Sequence, residues 1–358
     1  MPRRVSPVAL LFGFVTLSSD ARWSTAVCVP VRNEEALLPI FLDAMAAQAG
    51  APDVVLCVLL DACTDDSEAI LEARRSVVPF EIAIGRSEAA APNAGRARRA
   101  AMALAETRLA GGQSVIISTD ADSVPEPAWL DANRAALGQA DVAAGRIVRV
   151  GGEPSPLQDR VEAYYDALAV VRRLIDPVPW EAELPHHYTS AASLAFRLGD
   201  YISLGGFEPV PSAEDARLVD AAHRAGLRVR RDSAIRVQTS SRREGRARNG
   251  LADHLRRLDA ASDDTASSMA HPDDMVWRYA GHAAARLAWP ARGRIVALAA
   301  SLGIPPEDVR HIAAGSPNAE AFAMRVVPDV PGGQRIVPLA EAERALARLL
   351  QDGWKPAS

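Results

Sequence analysis

The sequence predicts an α/β protein with a mostly parallel, Rossmann-like sheet flanked by helices. Three observations predict this fold: short apolar runs recur through the first two thirds of the 358 residues, they show no polar alternation, and amphipathic helical patterns separate them. Apolar runs without alternation are typical of strands that are buried on both faces. Strands that alternate with helices form βαβ units, which build parallel sheets.

The elements follow in chain order. Four apolar runs predict the first strands: Ala26 to Val31, Val54 to Leu60, Phe80 to Ile84 and Val115 to Thr119. Amphipathic spacing between these runs predicts three helices: Glu35 to Gln48, Ser67 to Ser76 and Gly95 to Leu109. A strand, a helix, a second strand and a second helix complete the first domain: Val142 to Val148, Leu157 to Leu174, Ser193 to Phe196 and Glu214 to Ala225.

The character of the chain changes after Ser240. Six arginines fall between Arg242 and Arg257, and Ala-rich helical sequence, proline-containing turns and a last helix follow. We therefore predict three parts: a disordered leader over residues 1–23, an α/β domain over residues 24–241 and a mainly helical C-terminal region over residues 242–358.

Composition excludes several classes of protein. The 40 Lys and Arg residues nearly balance the 45 Asp and Glu residues, with a net charge of −5, so we expect no nucleic-acid partner. Three cysteines without zinc-ligand spacing indicate reduced thiols in a cytoplasmic protein. The N-terminal apolar run from Val8 to Leu17 is shorter than the roughly 20 residues that span a membrane, so no transmembrane segment is expected.

The loops after the first two strands carry candidate ligand-binding residues, because ligands of open α/β sheets bind beyond the carboxyl ends of the strands. The segment Pro30 to Glu35 lacks the Gly-x-Gly-x-x-Gly pattern of a dinucleotide site, which disfavours a dehydrogenase. Its Asn33 equally suits a helix cap. Asp61 ends the second strand, where it would accept hydrogen bonds from a nucleobase or ribose; a purely structural role is as compatible with the sequence.

A helix start at Asn93 carries three arginines, Arg96, Arg98 and Arg99, in its first turns. Cations at this end oppose the helix dipole, and a bound anion such as a diphosphate would account for them. Arginines on a solvated helix face are the alternative.

Two acidic pairs are candidates for chemistry. Asp120 and Asp122 follow a buried strand one residue apart, so they point to the same side and suit Mg²⁺ or Mn²⁺ bridging two phosphates. Glu214 and Asp215 open a later helix, where capping explains Glu214 and where Asp215 is the better candidate for a general base.

Five segments in order, VPVRNEE, LLDACTDDS, NAGRARRAAM, ISTDADSVPEPAWL and GGFEPVPSAEDARLVDAAHRAG, resemble the family-2 glycosyltransferases of GT-A fold. The resemblance spans about Thr25 to Ser240. It implies inverting transfer of a sugar, a hexose being expected, from a nucleotide-diphosphate donor to an unidentified hydroxyl acceptor, with a divalent metal. UDP is the donor nucleotide by default, and the helical C-terminal region would shape the acceptor site or an interface.

The resemblance also implies roles for single residues. Pro30, Arg32 and Glu34 would line the nucleoside pocket, and Asp61 would contact the base or ribose. The base-proximal or phosphate side would hold Asn93, Arg96 and Arg99. Asp120 and Asp122 would form the Asp-x-Asp pair, with Asp122 as the direct metal ligand, and Asp215 would be the catalytic base.

The sequence departs from the family pattern in the loop after the second strand, and a later arginine-rich segment resembles another loop of the family. The usual Asp-Asp-Gly-Ser loop is here Leu60-Asp61-Ala62-Cys63, so the first acidic residue is missing and the donor base is left open. An arginine-rich stretch resembles the loop that closes over the diphosphate: Arg242, Arg243 and Arg246. Peripheral contact with a membrane is the alternative interpretation of these arginines. The pair His186 and His187 would reach the acceptor or metal, or face solvent.

Three other functions compete with this one. A nucleotidyltransferase of related fold would carry a Gly-rich, basic loop after the first strand, and VRNEEA is not such a loop. A glycoside hydrolase uses two carboxylates without a nucleotide. A non-catalytic nucleotide-sugar-binding protein would bind the donor without turnover, and the presence of Asp120, Asp122 and Asp215 argues against it.

Overall fold

The computed structural model describes residues 23–88, 91–245, 250–260, 267–289 and 292–351 of the chain. Nearly all of the predicted leader, residues 1–23, lies outside these ranges, and so does Arg246 of the arginine-rich loop.

Ten strands occur in the described ranges: β1 (Thr25–Val31), β2 (Val54–Asp61), β3 (Glu81–Ser87), β4 (Val115–Thr119), β5 (Ser123–Pro125), β6 (Val142–Val150), β7 (Ser193–Arg197), β8 (Val229–Ser240), β9 (Ser268–Ala270) and β10 (Ile336–Pro338). Thirteen α-helices occur there as well: α1 (Leu38–Ala46), α2 (Ser67–Arg74), α3 (Ala94–Glu106), α4 (Trp129–Leu137), α5 (Pro156–Ile175), α6 (Leu198–Ser203), α7 (Glu214–Ala225), α8 (Leu251–Asp259), α9 (Pro272–Ala288), α10 (Ile295–Leu302), α11 (Pro306–Ala314), α12 (Ala319–Val326) and α13 (Leu339–Gln351).

Eight of the described strands form one sheet in the order β3-β2-β1-β4-β7-β6-β8-β5. β1 pairs in parallel with β2 and β4, β2 with β3, and β6 with β8. β7 is antiparallel to both of its neighbours, and β5 is antiparallel to β8. Four of these seven pairings are parallel, which confirms the predicted mostly parallel α/β sheet.

The central strands are apolar throughout because helices cover both faces of the sheet. On β1, Val27 belongs to the same core cluster as Phe41 of α1 and Trp129 of α4. The next residue, Cys28, joins the cluster on the other face with Met102 of α3. Successive strand residues point to opposite faces, so a strand between two helical layers needs apolar residues at every position.

The sequence analysis missed one central element, β8, together with the shorter β5, α4 and α6. It also started the first helix too early. α1 begins at Leu38 rather than at Glu35, because the backbone amides of Glu34 and Glu35 donate to Ser67 Oγ and Asp65 Oδ2 in the loop after β2. These bonds join the loops after β1 and β2 at the carboxyl edge of the sheet.

The C-terminal region is mainly helical, as predicted, and it packs on the sheet-bearing part through α5 and α7. Leu339 and Leu346 of α13 share a core cluster with Tyr164 and Leu168 of α5. α12 contacts both α7 and α9. The domain boundaries at residues 24 and 242 stay predictions.

The described helices and the three cysteines bear on membrane insertion and on the redox state of the thiols. Along the described ranges, no helix has both the length and the apolar composition to cross a bilayer. Cys28, Cys57 and Cys63 are free thiols. The cytoplasmic location stays a prediction.

Candidate active site

A cavity of about 750 Å³ opens at the carboxyl ends of β1, β2 and β4, and we call it the first cavity. Ten residues that the sequence analysis selected line it: Pro30, Arg32, Glu34, Asp61, Asn93, Asp120, Asp122, Glu214, Asp215 and Arg242. Three other selected residues do not line it: Arg96, Arg99 and Arg243. The fold therefore brings residues from six separate segments to one edge of the sheet.

One end of the first cavity is built around the buried carboxylate of Asp61. Its Oδ2 lies 3.0 Å from Arg32 Nη1, and its Oδ1 lies 3.5 Å from Arg96 Nη2. Within the described ranges, Asp61 Oδ1 is buried without a hydrogen-bond partner. A buried acceptor without a partner costs about 1–3 kcal/mol, and an N–H or O–H of a bound molecule would satisfy it. Arg96 thus acts on this end of the cavity through Asp61.

Two residues in the left-handed backbone region shape the same end. Asn33 has φ of 56° and Ala62 has φ of 51°, directly after β1 and β2. Asn33 Oδ1 accepts a hydrogen bond of 2.7 Å from the amide of Thr64, so Asn33 joins the two loops rather than capping α1. Non-glycine residues with positive φ are uncommon and concentrate at functional sites.

The start of α3 is fixed by a cap and by close backbone contact. Asn93 Oδ1 accepts a hydrogen bond of 2.8 Å from the amide of Arg96, and its amide group donates to the Pro209 carbonyl. A Cβ on Gly95 would lie 1.9 Å from the Glu208 carbonyl oxygen, so only glycine allows this approach. The loop before α7 is thereby held against the start of α3.

Arg99 points away from the first cavity. Its Nη1 donates to the carbonyl oxygens of Gly205 at 2.8 Å and Phe207 at 3.0 Å. The carbonyls before α7, rather than a bound anion, therefore account for this cation at the start of α3.

Arg98 is the one of the three α3 arginines that lines the first cavity, and its partners are carboxylates rather than the anion that the sequence suggested. Its guanidinium contacts Asp120 Oδ1 at 2.7 Å and Glu214 Oε1 at 2.9 Å. Burial lowers the pKa of Arg98, but the carboxylates of Asp120 and Glu214 outweigh burial and raise the pKa above its ordinary value. Arg98 stays charged and joins β4 to the start of α7.

Asp122 lies deep in the first cavity beside like charges. Arg242 Nη2 lies 3.2 Å from Asp122 Oδ2, and Arg242 Nη1 donates to Glu34 Oε2 at 2.7 Å. Burial and the neighbouring Asp120 raise the pKa of Asp122 to about 7, although Arg242 opposes the shift. A group with this environment gains strongly from an added positive charge.

The charges around the first cavity fit a divalent cation. Six carboxylates line it: Glu34, Asp61, Asp120, Asp122, Glu214 and Asp215. Four guanidiniums line it within the described ranges: Arg32, Arg98, Arg242 and Arg257. With Asp122 ionised, the excess of two negative charges matches one Mg²⁺ or Mn²⁺, cations that take carboxylate and water oxygens as ligands. No cluster of three or more His, Cys, Asp and Glu side chains occurs in the described residues to enclose a metal, so phosphate and water oxygens would have to complete the coordination.

Asp215 faces the first cavity from the start of α7. Its Oδ2 accepts a hydrogen bond of 3.1 Å from the amide of Ala191, and its Oδ1 accepts one of 2.7 Å from the amide of Ala216. Ala213, with φ of 61°, turns the chain just before the helix. An oriented, half-buried carboxylate at the wall of a cavity has the geometry of a general base.

The first cavity includes residues that the sequence analysis did not select. Tyr188 and Ser190 line it between α5 and β7, and His254 and Arg257 of α8 line it from the C-terminal region. The position of α8 beside the sheet brings His254 and Arg257 there, and no local motif marks any of the four residues.

The positions of His186, His187 and Arg243 differ from those that the sequence suggested. His186 is fully buried rather than solvent-facing, with Nε2 at 3.1 Å from the Ala144 carbonyl, and His187 contacts Asp166 at 2.8 Å. Neither lines the first cavity. Arg243 pairs with Asp259 at 2.6 Å.

Comparisons with known proteins agree with this architecture. The model of the family described as Glycosyl transferase family 2 matches residues 26–190. No curated protein sequence matches the chain.

Several solved structures are similar over most of the chain. TarS 1-349 of S. aureus in complex with UDP-GlcNAc has 15% identity and a TM-score of 0.46, covering 93% of each chain. The mannosyltransferase PcManGT of Pyrobaculum calidifontis with GDP-Man and Mn²⁺ has 17% identity and a TM-score of 0.47, covering 93% of this chain and 88% of that one. Glucosyl-3-phosphoglycerate synthase of Mycobacterium tuberculosis, with Mn²⁺, UDP-glucose and phosphoglyceric acid, has 18% identity and a TM-score of 0.42, covering 81% and 83%.

Proposed function

We propose that this chain is a glycosyltransferase that transfers a hexosyl group, with inversion, from a nucleotide-diphosphate donor to a hydroxyl acceptor. The match of residues 26–190 to the model of glycosyl transferase family 2 supports this proposal. A UDP-sugar is the first donor to test. The eight-stranded sheet with helices on both faces is the GT-A architecture of this family.

One observation carries the proposal. Asp61, Asp122 and Asp215, which come from three separate segments, line the same cavity. Their environments differ: Asp61 has a buried oxygen without a hydrogen bond, Asp122 is half-buried among like charges, and Asp215 is held by backbone amides. These environments suit a nucleoside, a cation with its diphosphate, and an acceptor hydroxyl, respectively.

The donor would lie along the carboxyl edge of the sheet. Asp61 and Arg32 would hold the nucleoside, because the unsatisfied Asp61 Oδ1 accepts a hydrogen bond there. Asp120 and Asp122 would hold Mg²⁺ or Mn²⁺, which neutralises charge on the diphosphate as it leaves. Arg242 would turn from Asp122 toward the phosphates and add a charge-assisted hydrogen bond.

Asp215 would act on the acceptor. It takes the proton from the acceptor hydroxyl while the hydroxyl oxygen bonds to the anomeric carbon and the bond from that carbon to the diphosphate breaks. A single displacement of this kind inverts the configuration at the anomeric carbon. Residues of α8 that line the same cavity, His254 and Arg257, would contact the acceptor.

Calorimetric titration with UDP, GDP and their common sugar conjugates, with and without Mn²⁺, tests donor binding. We expect one nucleotide to bind in a Mn²⁺-dependent manner and Asp122→Asn to abolish that binding. Absence of binding by every nucleotide tested would contradict the proposed function.

Release of nucleoside diphosphate from the donor, with water in place of the acceptor, tests the base. Asp215→Asn should lower the rate by roughly 10²–10⁴-fold and leave the donor Kd unchanged. Asp220→Asn, at an exposed position of the same helix, is the matched control. Donor binding without turnover in the unmodified protein would indicate the non-catalytic alternative.

A further inference from the structure

A second cavity, of about 290 Å³, lies between β8 and the helices α5, α7, α9 and α12. It shares no lining residue with the first cavity among the residues that the structure describes. Its volume has room for roughly ten non-hydrogen atoms, on the basis of about 30 Å³ for each water-sized group. The second cavity is therefore a separate, ligand-sized space where the C-terminal helices meet the sheet.

The acidic side chains of the second cavity already have cationic partners. Arg286 contacts both Asp176 and Glu320, the latter at 2.7 Å. Arg172 forms an ion pair with Glu181. In the described part of the chain, these three carboxylates are the acidic groups that line the cavity, and each contacts one of these two arginines.

Arg231 of β8 takes no part in these ion pairs. Within the described ranges, no hydrogen bond or ion pair joins its guanidinium to another group, and it shares the cavity wall with the cations Arg172 and Arg286. Burial lowers the pKa of Arg231. The nearby Glu320 carboxylate opposes this shift without contacting the Arg231 guanidinium, so the guanidinium N–H groups are open to an anion that enters the cavity.

Two neutral hydrogen-bonding groups line the cavity beside Arg231. Neither the Tyr279 hydroxyl nor the His282 imidazole has a hydrogen bond to another described residue. Burial, followed by the nearby arginines, lowers the pKa of His282 to about 3, so the ring is neutral at pH 7. Leu168 and Met324 add apolar surface. A guanidinium outside the ion pairs, two polar groups and an apolar wall are features of a small-molecule site.

We propose that the second cavity binds a small organic oxyanion, a carboxylate or a phosphate, with its charged group on Arg231 and its hydrogen bonds to Tyr279 and His282. The apolar wall then contacts the body of the ligand. The segment 186–188 contributes His186 and His187 to this cavity and Tyr188 to the first cavity, so a ligand here contacts a segment that also lines the first cavity.

Thermal unfolding in chloride buffer, with added inorganic phosphate, acetate or benzoate at matched ionic strength, tests the site. We expect a saturable rise in the midpoint of the unmodified protein with at least one of these anions. A response to phosphate alone identifies a phosphate ligand, and a response to acetate or benzoate identifies a carboxylate.

Substitutions test whether the rise in the unfolding midpoint comes from anion binding in the second cavity. Arg231→Met should abolish it, because the variant removes the guanidinium that holds the anion. Arg236→Met, on the same strand but paired with Glu126 outside the cavity, should keep the response. Tyr279→Phe should weaken it.

Two outcomes would overturn the proposal: no response of the unmodified protein to any of the three anions, or an equal response in Arg231→Met. Asp122→Asn should keep the oxyanion response while it loses Mn²⁺-dependent nucleotide binding. Failure of the donor proposal and failure of the oxyanion proposal are therefore distinguishable.

Discussion

Arg98 of α3 and Glu214 of α7 form a buried ion pair, with 2.9 Å between Arg98 Nε and Glu214 Oε1. The same guanidinium contacts Asp120 at the end of β4 at 2.7 Å. The Arg98 side chain therefore connects the start of α3 with the start of α7 and the end of β4. The pair places the proposed base, the next residue after Glu214, beside the Asp-x-Asp carboxylates.

Arg98→Met should destabilise the protein strongly. The variant leaves Glu214 and Asp120 without their shared cation, and removal of one partner from a buried ion pair costs about 3–5 kcal/mol. Urea unfolding measures this loss as a lower midpoint. Arg217→Met, which breaks an exposed pair with Glu208, should change the free energy of unfolding by no more than about 1 kcal/mol. Equal losses in the two variants would contradict a structural role for Arg98.

Local patterns in the sequence predicted the first strands and the Asp-x-Asp site because each depends on neighbouring residues. β4 has the bounds that its apolar run predicts, Val115–Thr119. Asp120 and Asp122 follow it directly, so any strand there brings both to the carboxyl edge.

The missed features depend on distant partners. β8 contains Arg230, Asp232 and Arg236, charged residues that interrupt any apolar strand pattern. In the sheet, Arg230 pairs with Asp232 and Arg236 pairs with Glu126. The sequence also did not predict that Arg98, rather than Arg99, lines the first cavity. Adjacent helix residues differ by about 100° in direction, and only the fold shows which one faces the cavity.

Arg242→Gln should increase the affinity for Mn²⁺ in the absence of nucleotide. Arg242 contacts both Asp122 and Glu34, so its guanidinium already neutralises carboxylate charge that a metal cation would otherwise neutralise. Without nucleotide, its removal leaves the carboxylates free for the metal. Electron paramagnetic resonance of free Mn²⁺ during titration measures the Kd.

Arg243→Gln is the matched control for this titration, because Arg243 is the neighbouring arginine and pairs with Asp259. It should leave the affinity for Mn²⁺ unchanged. Weaker Mn²⁺ binding in Arg242→Gln than in the unmodified protein would show that Arg242 supports the metal site rather than competing with it.

Ala62→Gly and Ala213→Gly should each stabilise the protein. Both alanines have positive φ, 51° and 61°, where a Cβ costs roughly 1–2 kcal/mol relative to glycine. We expect the free energy of unfolding to rise by roughly 1 kcal/mol for each change, measured by urea titration. Ala347→Gly, in the exposed face of α13, should lower it by about as much. A loss of stability in all three variants would mean that the left-handed conformation carries no strain here.

The free energy of unfolding should fall as the pH falls below about 6.5, and His186 should contribute to the decline. Burial, followed by the nearby Arg231, lowers the pKa of His186 to about 3, and its ring accepts from the Tyr188 amide while it contacts the Ala144 carbonyl. Only the neutral ring makes both contacts. Between these pH values the unfolded chain binds a proton that the folded chain excludes, so acid favours unfolding.

This histidine should therefore contribute a slope of about 1.4 kcal/mol per pH unit over that range. Urea unfolding at pH 7, 6, 5 and 4 measures the slope, and His186→Gln should reduce it by this amount. His311→Gln, at an exposed position of α11, is the control and should leave the slope unchanged. An unaltered slope in His186→Gln would mean that His186 is protonated in the folded protein. The interpretation of His186 as a buried neutral ring would then be wrong.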